Sequence, residues 1–320
     1  MKTAPVVMAA GAVAVTALVG WFGVRAIGAE VWRAAWAVPP IIALHAVQLW
    51  LSALAWRITT GASRPGLGRW LHIRWLREAV NSMLPVAQLG GNLAGIRLLA
   101  QAGVPGSLAA AGTTIDLTIE AGTQFLFTLA GIGVLAVIGA EDTAVASWLG
   151  GGLAAMGLGL AGFIAAQRYG LLTLVERMVL RLQRFFPSLS VEGVRRLHAE
   201  LRRLQRDRGA LLRATVLHLT AWLLGVGETC LALAAMGRPT ALAEAMVIES
   251  LGMAARSAGF VVPGALGVQE GGFILVCGLF AIPPDQAIAL SMVKRLRELA
   301  VGLPGLLLWQ WAEGRRLLRG

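Results

Sequence analysis

The chain has 320 residues, of which 57% are hydrophobic and only 14% charged. A water-soluble domain of this size is rarely so apolar, so the composition excludes an ordinary globular enzyme and makes a bilayer the solvent. The net charge of +11 would suit nucleic acid elsewhere. Here the arginines gather between apolar runs, as the positive-inside rule requires, and no nucleic-acid recognition module accompanies them.

In chain order, Lys2 precedes an uncharged apolar run over 4–24. A cleaved signal peptide is the rival reading, but the run exceeds the usual apolar region of about 7–15 residues, so it is expected to be the first membrane helix. A second run, 34–56, contains His45. No second His, Cys or carboxylate sits beside it at helical spacing, so it reads as a hydrogen-bonded core residue and not a metal ligand. Arg57, Arg64, Arg69, Arg74 and Arg77 then mark a cytoplasmic side. The stretch 70–101 is apolar but interrupted by Glu78, Asn81, Pro85, Gly90, Gly91 and Arg97, which predicts a re-entrant helical hairpin broken at the proline.

A long apolar segment over 107–140 carries Asp116 and Glu120, an i,i+4 pair on one face. Glu141 and Asp142 close it, and 144–167 makes the return span. The arginine-rich stretch 168–208 holds leucines at helical spacing on both sides of Pro187. It reads as two amphipathic helices on the cytoplasmic lipid surface, with anionic phospholipid as partner. Further spans are expected over 211–236, with Glu228, and 241–257, with Glu249 and Arg256. After the turn at Pro283 and Pro284, a last helix carries Lys294, Arg295, Arg297, Glu298 and Pro304. Several of the 11 tryptophans stand at run ends, as interface belts require. The whole is an all-α polytopic membrane protein of about eight crossings with both termini cytoplasmic. It forms one integral membrane domain, 1–320: a first half over 1–166, the basic insert 168–208, and a second half over 209–320 whose broken segment spans 258–281.

That broken segment is where the chain is most unusual. Residues 260–272 read Phe-Val-Val-Pro-Gly-Ala-Leu-Gly-Val-Gln-Glu-Gly-Gly, helix-breaking yet apolar, with one carboxylate, Glu270. Backbone groups freed there need protein or trapped water, so the stretch should line a cavity. A weaker copy lies upstream, from Asn81 through Pro85 to Gln88, Gly90 and Gly91, matching Pro263, Gln269, Gly271 and Gly272. Arg77 and Arg256 precede the two prolines by about two helical turns. Broken segments in corresponding positions of two halves predict an inverted repeat with a binding site between them.

Charge at membrane depth costs roughly 2.5–3.5 kcal/mol per residue on insertion scales, so such residues are candidates for function. Arg77, Glu78, Asp116, Glu120, Arg256, Glu270, Arg295, Arg297 and Glu298 are the charged members of the candidate lipid-binding and translocation set. Arginines and lysines near helix ends could instead snorkel, and Glu270 with Arg256 could be a purely structural ion pair. No Ser-His-Asp set, Cys-His set or phosphate loop is present, and the four histidines show no metal spacing. No enzyme activity, cofactor or metal is therefore expected. Cys230 and Cys277 lie in apolar runs and suggest packing, not a disulfide framework.

Arg74, Arg77-Glu78-Ala79, Asn81, Pro85 and Gly90-Gly91 together resemble the motif of the lysylphosphatidylglycerol synthase membrane region and related flippase-like proteins. The second half is similar to the HpnL-like hopanoid-associated membrane proteins. Its likeness lies in Arg256, Phe260, Val262-Pro263, the run Leu266 to Gly272, Lys294 to Leu299, and Gly302 to Gly305. The resemblance implies a lipid transporter of the bacterial inner membrane with hopanoid-like cargo. A homodimer or a lipid-synthesis partner is compatible with it. The synthases carry a soluble aminoacyltransferase domain after the membrane part; with the sequence ending at Gly320, that activity is not expected here. A non-transporting scaffold for lipid-synthesis enzymes is the other functional class.

Overall fold

The computed structural model describes residues 16–84, 90–138, 191–259 and 262–317, with isolated positions at 13, 157, 158, 161 and 162. Every regular element among the described residues is helical. Beyond a helical stretch over 16–22, these are α1 Val24–Arg33, α2 Val38–Thr60, α3 Leu67–Met83, α4 Gly90–Gln101, α5 Gly106–Ile138, α6 Val191–Arg206, α7 Arg208–Ala235, α8 Leu242–Ala258, α9 Val268–Gly278 and α10 Pro284–Leu317. Short 3₁₀ turns cover Ala34–Ala37 and Pro263–Ala265.

Local sequence sets the ends. Pro39 and Pro40 sit in the first turn of α2, where the missing N–H groups cost nothing. Gly61 ends α2 in the left-handed conformation, its N–H on the Arg57 carbonyl. α3 stops at Leu84, which is extended, as the residue before a proline is pushed to be. Asp207 caps α7, accepting from the Ala210 N–H at 2.9 Å.

Among the described residues, three stretches are long and apolar enough to cross a membrane: Val24–Thr60, Gly106–Ile138 and Arg208–Ala235. The expected spans at the two breaks are split into shorter helices by the glycines and prolines that mark them. α10, though 34 residues long, owes its lower apolarity to Lys294, Arg295, Arg297 and Glu298. The helix continues through Pro304, and Trp75 of α3 donates to the Val301 carbonyl just before it. Pro85, Gln88, Phe260, Glu141, Asp142, the return span over 144–167 (apart from four isolated positions) and residues 168–190 of the insert lie outside the described residues.

The packing pairs the two parts of the chain. α2 lies along α7; α3 packs on α10, and α8 packs on α5. The core follows: Ile41, Leu233, Ile248, Phe273, Leu290 and Val293 join α2, α7, α8, α9 and α10, while Trp56, Trp70, Ile73, Leu76 and Leu99 form a second cluster in the first part. α6 departs from the expected surface helix. Leu201 and Leu204 are buried against Ala111 and Ile115, so its apolar stripe is spent on α5.

Candidate functional site

A cavity of about 530 Å³ opens between α2, α3, α5, α7, α8 and α10. Four arginines line it, Arg74, Arg77, Arg256 and Arg297, with four glutamates, Glu78, Glu120, Glu249 and Glu298. Their positions follow from the breaks. α3 ends before Pro85 and α8 before Pro263, so each places an arginine where the following short helix turns back.

Arg77 is 1% exposed and uses its whole fork. Nε donates to Asn92 Oδ1 on α4 (2.6 Å), Nη1 to Asp116 Oδ2 on α5 (2.8 Å), and Nη2 to Glu120 Oε2 (3.4 Å). The guanidinium also lies over the Trp56 ring at 4.9 Å. Arg74 Nη2 reaches Glu120 Oε1 at 2.9 Å, and His218 Nε2 meets the free oxygen of Asp116 at 3.0 Å. In the second part Arg256 Nη1 donates to Gln269 Oε1 on α9 (2.5 Å) and to Glu298 on α10. In both parts, then, an arginine before the break clasps an amide on the short helix and a carboxylate on the next long one. A planar fork can hold such a junction where a lysine could not.

A third group ties the parts together. Arg297 donates to Glu228, Lys294 Nζ lies 2.7 Å from Glu249 Oε2, and Thr229 donates to the same oxygen at 2.6 Å. Gln48 Nε2 donates to Glu228 Oε1 at 2.9 Å, and His45 Nε2 lies 2.7 Å from Glu78 Oε1.

Of the residues singled out from the sequence, Arg77, Glu78, Asn81, Glu120, Arg256, Arg297 and Glu298 line the cavity. Asp116 stands behind Arg77, and Gln269 behind Arg256. Glu270 is placed otherwise: its ion-pair partner is Arg295 (Nε to Oε1, 2.6 Å) and not Arg256. Its second oxygen takes the Gly267 N–H at 2.8 Å, closing the first turn of α9, while Ser291 donates to Oε1 at 2.9 Å. Arg295 in turn holds the Gly264 carbonyl freed by the break at 3.0 Å. This cluster fixes the backbone of the break, away from the cavity wall. Gly91 and Gly272 serve close approach: a Cβ on Gly91 would lie 2.1 Å from the Arg77 carbonyl, and one on Gly272 2.5 Å from Ala255 Cβ. Gly271 has nothing within 4 Å of its position. Glu249 and Lys294, charges expected at membrane depth, also join the site, and so do His45, Gln48, Asn92 and His218, which the sequence does not mark because their partners are remote along the chain.

A family model described as the lysylphosphatidylglycerol synthase TM region matches residues 7–305. The chain belongs to that family. It is a multi-pass membrane protein, and the family match spans both breaks and all three charged clusters. No curated protein and no solved structure matches the chain.

Proposed function

We propose that this family member is a lipid translocator of the bacterial inner membrane, and that it has no enzymatic role. The supporting observation is the cavity: about 530 Å³ of ion-lined space inside an apolar bundle, walled by both parts of the chain. Moving a lipid through hydrocarbon is costly only for its polar head, so a translocator shelters the head and leaves the apolar body in the membrane. The volume falls in the range of about 300–1,000 Å³ common for small-ligand sites. The arrangement supports two inverted repeats, α2–α5 and α7–α10, each a long helix, a helix ending at a break, a short helix and a long helix. About eight crossings with cytoplasmic termini accommodate that plan. A hopanoid, rigid and apolar with a small polar head, is the cargo that the likeness to HpnL-like proteins favours.

The scaffold reading has one observation of its own: most of the charges at the site are paired, as they would be if they only packed the bundle. Proteoliposomes decide between the two. Full-length protein should move a polyhydroxylated hopanoid between leaflets several-fold faster than empty vesicles. Arg256→Gln should fold, insert and lose most of that rate. Equal rates with and without protein would leave the scaffold.

A further inference from the structure

His45 has an acceptor at each ring nitrogen. Gln48 donates from Nε2 to Glu228, an acceptor-only carboxylate whose other oxygen is held by Arg297. That fixes the amide, so the atom 3.0 Å from His45 Nδ1 is the Gln48 carbonyl oxygen, and Nδ1 carries hydrogen. On the other side, Nε2 lies 2.7 Å from Glu78 Oε1. A neutral ring with its hydrogen on Nδ1 offers only a lone pair there, and so does an ionised carboxylate. Two lone pairs at that distance repel, so one more proton lies between them. His218 makes no such demand: it meets Asp116 through Nε2 alone, and a neutral ring with hydrogen on that nitrogen suffices.

Charge balance independently calls for one more proton in this region. Arg74 and Arg77 offset Asp116 and Glu120, and Arg295 offsets Glu270. Among the described residues, the remaining cluster sets Arg256, Lys294 and Arg297 against Glu78, Glu228, Glu249 and Glu298, one cation short. A single proton on the His45–Glu78 pair makes it neutral. α3 supplies Glu78 and, one turn back, Arg74. α7 supplies Glu228, 3.9 Å from Nδ1, and His218. α10 supplies Arg297 and Lys294, both engaged with Glu228, and α5 supplies Asp116 and Glu120, engaged by the α3 arginines. Glu78 keeps 30% of its side chain exposed and lines the cavity, so the proton has a route in and out.

We infer that the His45–Glu78 pair binds the coupling proton of the translocator, loading it from the cavity and closing the hydrogen bond between α2 and α3 only while it is held. This rests on the lipid-translocator reading. Loss of the proton leaves two facing lone pairs and one unbalanced negative charge, which opens this hydrogen bond between the two helices while the packing of Trp56 on Trp70 holds. A proton gradient can therefore drive the cycle in a chain of this family.

The proton itself is tested without any lipid. The full chain, ¹⁵N-labelled at its four histidines and held in bilayers at about pH 8, above the ordinary imidazole range, is read by nuclear magnetic resonance. His45→Gln identifies the signal. Two protonated ring nitrogens at position 45, or a neutral ring with a carboxylic-acid infrared band that vanishes in Glu78→Gln, are the expected results. A neutral ring with no acid band overturns the assignment. In proteoliposomes, hopanoid movement by the wild type should speed up several-fold under a pH gradient of one direction. Glu78→Gln, whose amide can donate to a neutral His45 but has no proton to release, should not respond. Wild-type movement indifferent to any gradient overturns the coupling while the translocator stands; no movement under any gradient removes both.

Discussion

Glu270 separates a structural charge from a working one. It is fully buried, ion-paired with Arg295, and ties down the Gly267 N–H at the start of α9. Removing one partner of a buried pair costs about 3 kcal/mol or more, because the other charge is stranded. Glu270→Gln should therefore lower the melting temperature in detergent, and Arg295→Gln added to it should restore part of the loss. Under the proposed function, lipid transport per folded molecule should stay near wild type, since Glu270 does not line the cavity; a stable Glu270→Gln protein that fails to transport would reverse that view. The sequence marks Glu270 as important through its isolation in an apolar run but suggests the wrong partner. Arg256 is nearer along the chain, and only the return of α10 past the break brings Arg295 to it. Asn92 and Gln48 were illegible for a related reason: an uncharged amide carries no membrane penalty large enough to flag it, and its role depends on which arginine or glutamate the fold delivers.

Breaks and periodicities are the part of these elements that the sequence states most clearly. The end of α3 before Pro85, the i,i+4 placement of Asp116 and Glu120, and the second break at Pro263 all depend on neighbours in sequence. The amphipathic stripe of α6 was legible as a buried face, but not what would bury it: Leu201 and Leu204 meet protein, where lipid would have satisfied the same pattern. The paired glycines make a similar distinction. They look alike in sequence, yet Gly91 and Gly272 sit at close approaches and Gly271 does not. Gly91→Ala would press a methyl group into the Arg77 carbonyl and Asn81 Oδ1, at 2.1 and 2.6 Å, and force α3 from α4. Overpacking of this kind costs about 1–3 kcal/mol. Gly271→Ala meets nothing and should be neutral, or stabilising by up to about 1 kcal/mol through helix propensity. Thermal melts of the two variants in the same detergent test the contrast, and equal losses would contradict the close approach of α4 to α3 at Gly91.

At the scale of the molecule, the two parts hold each other crosswise. α3 lies on α10, where a Cβ at Gly302 would sit 3.0 Å from Met83 Cγ; α8 lies on α5, where a Cβ at Gly131 would sit 2.9 Å from Ser250 Cβ. The cavity lies between these contacts, walled by α3 and α10 on one side and α5 and α8 on the other. If, in the proposed translocator, the polar head crosses by rocking of one part of the chain against the other, the two contacts cannot both stay closed through a cycle. A disulfide needs Cβ atoms about 3.5–4.5 Å apart; the Gly131–Ser250 pair accepts one after a shift of under about an ångström, and Met83 Cβ, one bond back from Cγ, lies within the same reach of Gly302. Met83→Cys with Gly302→Cys, and separately Gly131→Cys with Ser250→Cys, should each abolish hopanoid movement in oxidised proteoliposomes and recover it on reduction. The single-cysteine proteins should be insensitive to oxidant. Full transport by both cross-linked proteins would mean that the head passes through a fixed bundle, and the paired breaks would then be a packing motif without a motion.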